Sequence, residues 1–360
     1  FPLLNSPTYL LPSGRVSIPL PCSFPLLNGP TYLSPSGRIS VPDPRLSEIA
    51  EIAKSAKIVP THLEFVDIAG LVKGASEGEG LGNQFLANIR EVDAILHVLR
   101  CFGDKNIPYM GNTMDPIRDA EIVQTELMLA DMVGLERRID RLAKKAKAGE
   151  KDADEELALV ERLLQTLHKG EPVRKLTLKV GEQKRCRMLQ LLTSKPVLYV
   201  CNVEEEFAAA GNEFSDQVAV YAKHQGNNSL VISAKIEAEI SQLEDEAEKV
   251  EFLEAIGIEK TSLGRLIRAG YELLGLITYF TASPNEARAW TVTQGTKAKE
   301  AAGRIHTDFE KGFICAETIS GRDYLSLGGE QAAKVAGKMR QEGREYIIRE
   351  GDVILYRFNV

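Results

Sequence analysis

The sequence predicts an α/β fold: a mainly parallel sheet, interrupted by a helical arm and followed by a smaller strand-rich module. Three observations carry that expectation. Four short aliphatic runs, at 62–67, 94–99, 196–201 and 229–233, each end in a polar or glycine turn, as strands buried on both faces of a parallel sheet do. Between the second and third runs, apolar residues return at helical spacing. After Leu276 the pattern changes again, to short strands around one helix.

The chain opens on a segment unlike the rest. The first 45 residues hold ten of the 16 prolines, and they repeat: 1–10 recurs as 24–33, and 13–17 as 36–40, each with one residue changed. Two copies at a period of 23 residues fall short of the three or more that a solenoid needs. They read as a local duplication or a splice or gene-model scar. So much proline forbids a continuous helix and favours extended or turn structure.

In the helical stretch Met128, Met132, Leu135, Ile139 and Leu142 step by fours and threes. Leu157, Val160, Leu164 and Leu167 do the same after a polar turn at 149–152. This predicts an antiparallel hairpin with one apolar seam, which is core packing. Arg137, Arg138, Arg141, Lys144, Lys145 and Lys147 cluster towards its tip, as a solvated face or as a surface for nucleic acid or an acidic partner. In the last module 287–292, 346–348 and 353–356 read as strands and 298–302 as part of a helix, with Trp290 in the core.

Composition narrows the function classes. With 44% hydrophobic and 26% charged residues, the chain is of ordinary globular type. No uncharged apolar run reaches the length of a membrane span, and the N-terminus does not read as a signal peptide. Five scattered cysteines without a CxxC pair suit a reducing compartment and argue against a disulfide framework or a zinc site. A net charge of −7 disfavours indiscriminate binding to nucleic acid.

In open α/β sheets ligands sit at the carboxyl ends of the strands, so the residues after each run carry most information. Asp67-Ile-Ala-Gly70 follows the first run: the aspartate can hold Mg²⁺ through water and the Gly70 amide can meet a γ-phosphate. The glycines that follow, at 74, 78, 80 and 82, make a loop able to reorganise around phosphate. Asn202-Val203-Glu204-Glu205 follows the third run, where an asparagine can bind a purine edge and the carboxylate three residues on helps select the purine. Guanine-specific proteins place aspartate there, to accept from N1–H and the 2-amino group; Glu205 departs from that. Ser233-Ala234-Lys235 follows the last run, where backbone amides commonly contact the base. The phosphate cradle G-x-x-x-x-G-K-[ST] does not occur in the 360 residues; Gly337-Lys338 comes nearest, with Ala332 in place of the first glycine and Met339 in place of the hydroxyl. His97, inside a strand, reads as a packed core histidine, and His306 as a turn-stabilising residue or one facing RNA.

At these residues the sequence resembles the YchF family of Obg-like ATPases, in the TRAFAC branch of P-loop NTPases. The runs 41–45, 64–75, 80–83, 97–102, 268–271, 289–290 and 301–313 look like the family's hallmarks, and the resemblance covers roughly 37–360. It implies a G domain, without its first strand and cradle, over 37–112 and 192–275, an inserted coiled-coil arm over 113–191, and a ubiquitin-like TGS domain of β-grasp fold over 276–360. The proline-rich repeat, 1–36, precedes them. It also implies hydrolysis of ATP in preference to GTP, Mg²⁺ as cofactor, binding to the ribosome (large subunit or whole particle) with ribosomal RNA as a further partner, a monomer, and a cytoplasmic location, an organellar form being the alternative. Leu71 stands where Ras-like proteins carry a catalytic glutamine, and Asn202 and Glu205 match the family's N-x-x-E base-recognition motif. Thr31 falls where the Mg²⁺-binding threonine sits, and Tyr109 aligns with a histidine proposed to act in hydrolysis. Two other readings stand beside this one: a non-catalytic adaptor that binds ribosome or RNA, and a truncated gene product. The fold's first strand would lie between the runs 62–67 and 94–99; either 15–20 covers that gap in part, limited by Pro19, or two strand edges stay unpaired.

Overall fold

The computed structural model describes residues 15–20, 36–69, 81–103, 114–243, 245–258 and 260–359. Its twelve strands are β1 (Arg15–Leu20), β2 (Ser36–Ser40), β3 (Ile58–Val59), β4 (His62–Ala69), β5 (Ala94–Arg100), β6 (Val197–Asn202), β7 (Asn228–Ile232), β8 (Leu276–Ala282), β9 (Ala287–Thr293), β10 (Phe313–Ser320), β11 (Arg340–Glu342) and β12 (Asp352–Phe358). They form two six-stranded sheets, ordered β2-β4-β1-β5-β6-β7 and β11-β10-β12-β8-β9-β3. The described residues fall into two compact units. One draws on 13–37 and 65–266, the other on 38–64 and 267–360.

In the first unit β1, β5, β6 and β7 run parallel. Val16 pairs with Ala94, Ile95 with Val197, Arg100 with Asn202, and Asn202 in turn with Ile232. Of the two expectations for the central place, the structure shows the first: β1, residues 15–20, lies between β4 and β5. Val16 and Ser17 pair with Ala94 and Ile95 of β5, while Pro19, without an N–H, cannot donate to a neighbouring strand. β5 and β6 are mostly apolar and buried. Leu86 and Ile89 from the helix Leu81–Glu91, and Val218 and Ala222 from the helix Glu213–His224, join Ile95, Leu99, Tyr199 and Cys201 in one core.

The helical stretch forms as its period requires. Asp115 accepts from the Arg118 amide at the start of the helix Pro116–Lys147, and Pro116 fits the first position, where no N–H is needed. A turn leads into the helix Ala153–His168, and the Arg138–Glu156 ion pair, at 3.0 Å, joins the two. Leu135, Leu142, Leu159, Val160, Leu163 and Leu167 fill the seam, with Met128, Met132, Ile139, Leu157 and Leu164 around them. Buried Asp131 fastens the long helix to the segment before β6. Its carboxylate accepts from the Leu192 amide at 2.9 Å, the Thr193 amide at 2.8 Å and the Thr193 hydroxyl at 2.7 Å.

In the second unit β10 is antiparallel to β11 and β12, β12 is parallel to β8, β8 antiparallel to β9, and β3 parallel to β9. The residues 38–64, expected with the first part of the G domain, pack here. The helix Pro44–Ala53 carries its apolar stripe at Leu46, Ile49 and Ala50 and lays it on Phe280, Ala289, Ile319 and Val353. Arg45 locks the helix start, bonding Asp43 and Glu350 and lying over the Phe280 ring. On the other face the helix Ala298–Ile305 covers Tyr279, Val292, Phe313, Ala316 and Tyr356. Residues 346–348 are no strand: one bridge joins Ile347 to Lys297, and the Asp352 carboxylate, accepting from the Tyr346 hydroxyl and the Arg349 amide, bends the segment into a turn. Trp290 is half-buried rather than core, its indole donating to Thr281 at 2.9 Å beneath the Arg288 guanidinium. Among the described residues no helix is long and apolar enough to cross a membrane.

Candidate functional site

The carboxyl ends of β6 and β7 bring two of the expected motifs together. β6 is buried along its length until Asn202, its last residue, so the side chain emerges where the apolar run stops. The Asn202 carbonyl oxygen accepts from the Ala234 amide at 2.9 Å, which leaves the side-chain NH₂ to donate to a ring nitrogen of a base. Val203 turns inward, 3% exposed, and its amide donates to the Ile232 carbonyl at 2.9 Å. Glu205 opens a short 3-10 turn and is exposed. Its carboxylate lies 2.5 Å from the Lys235 ammonium, and that hydrogen bond raises the lysine pKa above its ordinary value. A carboxylate at this place accepts hydrogen bonds, which either the 6-amino group of adenine or the N1–H and 2-amino group of guanine can donate.

Ser233 caps the helix Ala234–Ile240 in extended backbone, yet its hydroxyl makes no capping bond. It is fully buried and lacks a hydrogen-bond partner among the described residues. Ala234 is buried behind it. From the same helix Glu237, also buried, accepts from the amide of Ser262.

Two residues not singled out by the sequence complete the constellation. Glu204 accepts from the Gly103 amide at 2.9 Å, and Asn212 donates to the Cys101 carbonyl at 2.6 Å, so the loops after β5 and β6 are tied to each other. Glu204 lies inside the Asn202–Glu205 motif, and its adjacency could have marked it. Asn212, which also caps the helix Glu213–His224, carried only the signal of a helix start. Beneath, Cys101 and Cys201 are fully buried and their thiols are hydrogen-bonded; that contact, with burial, drives the Cys101 pKa far up.

Of the other expected site residues, Asp67 lies in β4, two residues before its end. Thr31, Gly70, Leu71 and Tyr109 lie outside the described residues. Among the described residues no group of three or more His, Cys, Asp or Glu could hold a metal. His97 is a packed core residue, its ring centroid 5.7 Å from that of Tyr199, and burial lowers its pKa to about 4. His306 caps the helix Thr307–Lys311, its Nδ1 accepting from the Asp308 amide at 3.2 Å.

Comparison with known proteins decides the family. The family model YchF-GTPase_C (protein of unknown function, DUF933) matches residues 276–359, and the model MMR_HSR1 (50S ribosome-binding GTPase) matches 47–109. The chain is 52% identical over 318 residues to the ribosome-binding ATPase YchF of Escherichia coli O157:H7, covering 88% of this chain and 87% of that one. The chain belongs to the YchF family. YchF of Bacillus subtilis (strain 168) is 50% identical over 320 residues with the same coverage. The YchF GTPase of Schizosaccharomyces pombe superposes with a TM-score of 0.83 at 33% identity, over 98% of this chain and 99% of that structure. A GTP-binding protein from Pyrococcus horikoshii OT3 shares the fold, with a TM-score of 0.55 at 18% identity, over 83% and 84% of the two chains. The YchF likeness therefore extends to both sheets and to the helical hairpin between β5 and β6.

Proposed function

We propose that this chain is a ribosome-associated, adenine-preferring nucleotide-binding protein of the YchF type, with ATP hydrolysis as its family activity. The observation that carries the reading is the latch between Asn202 and the Ala234 amide, which holds the two base-facing loops together with the Glu205 carboxylate beside them. The nucleotide residues are Asp67, Gly70, Asn202, Val203, Glu205, Ser233, Ala234 and Lys235. Magnesium would be held through water by Asp67, with Thr31 as second contact; the position of Asp67 near the end of β4 suits that role. When bound, the ion would neutralise phosphate charge. The adenine 6-amino group would donate to Glu205 and the Asn202 NH₂ to the ring edge. We place the protein in the cytoplasm with its bacterial relatives, as a monomer. The helical arm over 113–191 acts as a coiled-coil arm, and the TGS domain over 276–360 contributes to ribosome contact.

The phosphate side sets the test. With no G-x-x-x-x-G-K-[ST] in the 360 residues, the base site must supply a larger share of the binding. Calorimetric titration with Mg-ATP and Mg-GTP, beside phosphate-release and ribosome co-sedimentation assays, should show ATP bound in preference to GTP and nucleotide-dependent sedimentation. Equal affinity for the two purines would overturn the assignment of Glu205. Co-sedimentation indifferent to nucleotide, with no binding in the calorimeter, would make the chain an adaptor.

A further inference from the structure

A second polar site lies at the opposite end of the parallel sheet. Pro196 directly precedes β6 and Asn227 directly precedes β7, so both mark the amino ends of strands whose carboxyl ends carry Asn202 and Ser233. A depression of about 600 Å³ opens there, lined by Arg174, Lys175, Pro196, His224, Gln225, Gly226 and Asn227. A six-residue strand spans ~20 Å, so this site is separate from the base-facing loops.

Three of its lining residues carry buried polar atoms that nothing satisfies. Arg174 donates from Nη2 to Gln124 at 2.7 Å and also interacts with the Tyr199 hydroxyl and the Glu171 charge, but its Nε–H has no hydrogen-bond partner among the described residues. The Asn227 side-chain NH₂ and the Gln225 side-chain oxygen are likewise unpartnered. Leaving such an atom unsatisfied is costly, more so when the group is charged. Nearby acidic charge is already taken, since Glu171 pairs with Lys175 at 2.7 Å. The main chain is not available either. The amides of Gln225, Gly226 and Asn227 donate to Tyr221, Lys223 and Ala222 and close the end of the helix Glu213–His224, Gly226 taking the positive φ that this cap needs. The residues lining the depression thus bring together a guanidinium with one unsatisfied N–H, a lysine paired with Glu171, a histidine, one side-chain amide donor and one acceptor.

We infer that this depression is a second anion site, built for a phosphate group: Arg174 Nε and the Asn227 side-chain NH₂ donate to its oxygens, Lys175 adds charge by leaving Glu171, and Gln225 accepts from a neighbouring hydroxyl. A ribose phosphate has that combination, whether free or within an RNA backbone. Desolvation, which lowers the Arg174 pKa, strengthens its attraction to an incoming anion.

The test uses the full chain, isotopically labelled, with the amides of Gly226 and Asn227 read by NMR. Inorganic phosphate is titrated against chloride at matched ionic strength, and a short single-stranded oligoribonucleotide against its deoxy counterpart. Shifts at Gly226 and Asn227 with inorganic phosphate assign the site to free phosphates. Shifts with the oligoribonucleotide alone assign it to the RNA backbone. Either supports the site if Asn227→Ala and Lys175→Ala, changes that leave Arg174 in place, each weaken binding by about tenfold; Arg174→Gln should abolish it where circular dichroism shows the chain folded. No shift with either probe, or variants that bind as the parent does, overturns the proposal. None of these readouts depends on Mg-ATP, so the base site can fail without touching this one.

Discussion

His97 shows how one buried ring fixes a pH dependence. In the folded chain its pKa is lowered to about 4, first by burial and then by the Arg174 charge, against about 6.5 when unfolded. Above pH 6.5 both states carry a neutral ring and nothing changes. Between there and about pH 4 the unfolded chain binds a proton that the folded chain refuses, so stability falls as pH drops. The full loss is about 3 kcal/mol. Urea midpoints measured across that window should fall for the parent chain, and His97→Leu should flatten the slope by that amount; an unchanged slope would place the titration elsewhere. At the base site, Asn202→Ala removes the acceptor of the Ala234 amide and should weaken ATP binding by about tenfold or more. Equilibrium binding of a fluorescent ATP analogue checks this. Asn202 and Glu205 stand out in the sequence by their place after an apolar run. Glu204 and Asn212 were not, because a loop-to-loop hydrogen bond leaves no period in the sequence.

The helical hairpin is the element the sequence foretold most closely, since a repeat of fours and threes has one physical reading. Leu159 and Leu163 were overlooked because the seam of the second helix is wider than one residue per turn, as a helix backed by further segments requires. Leu163→Ala, at a fully buried position, should cost about 2–5 kcal/mol. Asp131 teaches the opposite lesson. A lone carboxylate in a charged helix looks solvated, yet three donors from 192–193 converge on it. Asp131→Ala should destabilise by about 3 kcal/mol and Asp131→Asn by less, because the amide oxygen keeps part of the set. Chemical denaturation separates the two. In the proline-rich start, 15–20 is one of two expectations for the central place; β1 takes it although Pro19 and local composition disfavour a central strand there.

At the scale of the whole molecule, chain order and packing order part company. The residues 38–64 belong with 267–360, and the helix Pro44–Ala53 covers apolar residues of four strands of that unit's sheet. A fragment restricted to 267–360 should therefore bind a hydrophobic dye and unfold at lower denaturant than the parent unit, and a peptide spanning 38–64 should reverse both effects. Dye fluorescence with and without the peptide decides it. The sequence suggested a compact C-terminal module after Leu276 because its strands are contiguous; the apolar stripe of a distant helix gives no sign of which sheet it will cover.

That arrangement also bears on how the polypeptide is born. The segment bearing Leu46, Ile49 and Ala50 leaves the synthesis machinery roughly 200 residues before its docking surface begins to emerge. At translation speeds of about 5–20 residues per second, that is a wait on the order of ten to forty seconds. Throughout that interval a greasy ten-residue stretch has no mate, and a nascent-chain chaperone or the parallel sheet forming behind it would have to shelter it. Synthesis of this unit finishes only when the last strand, with Val353, is out.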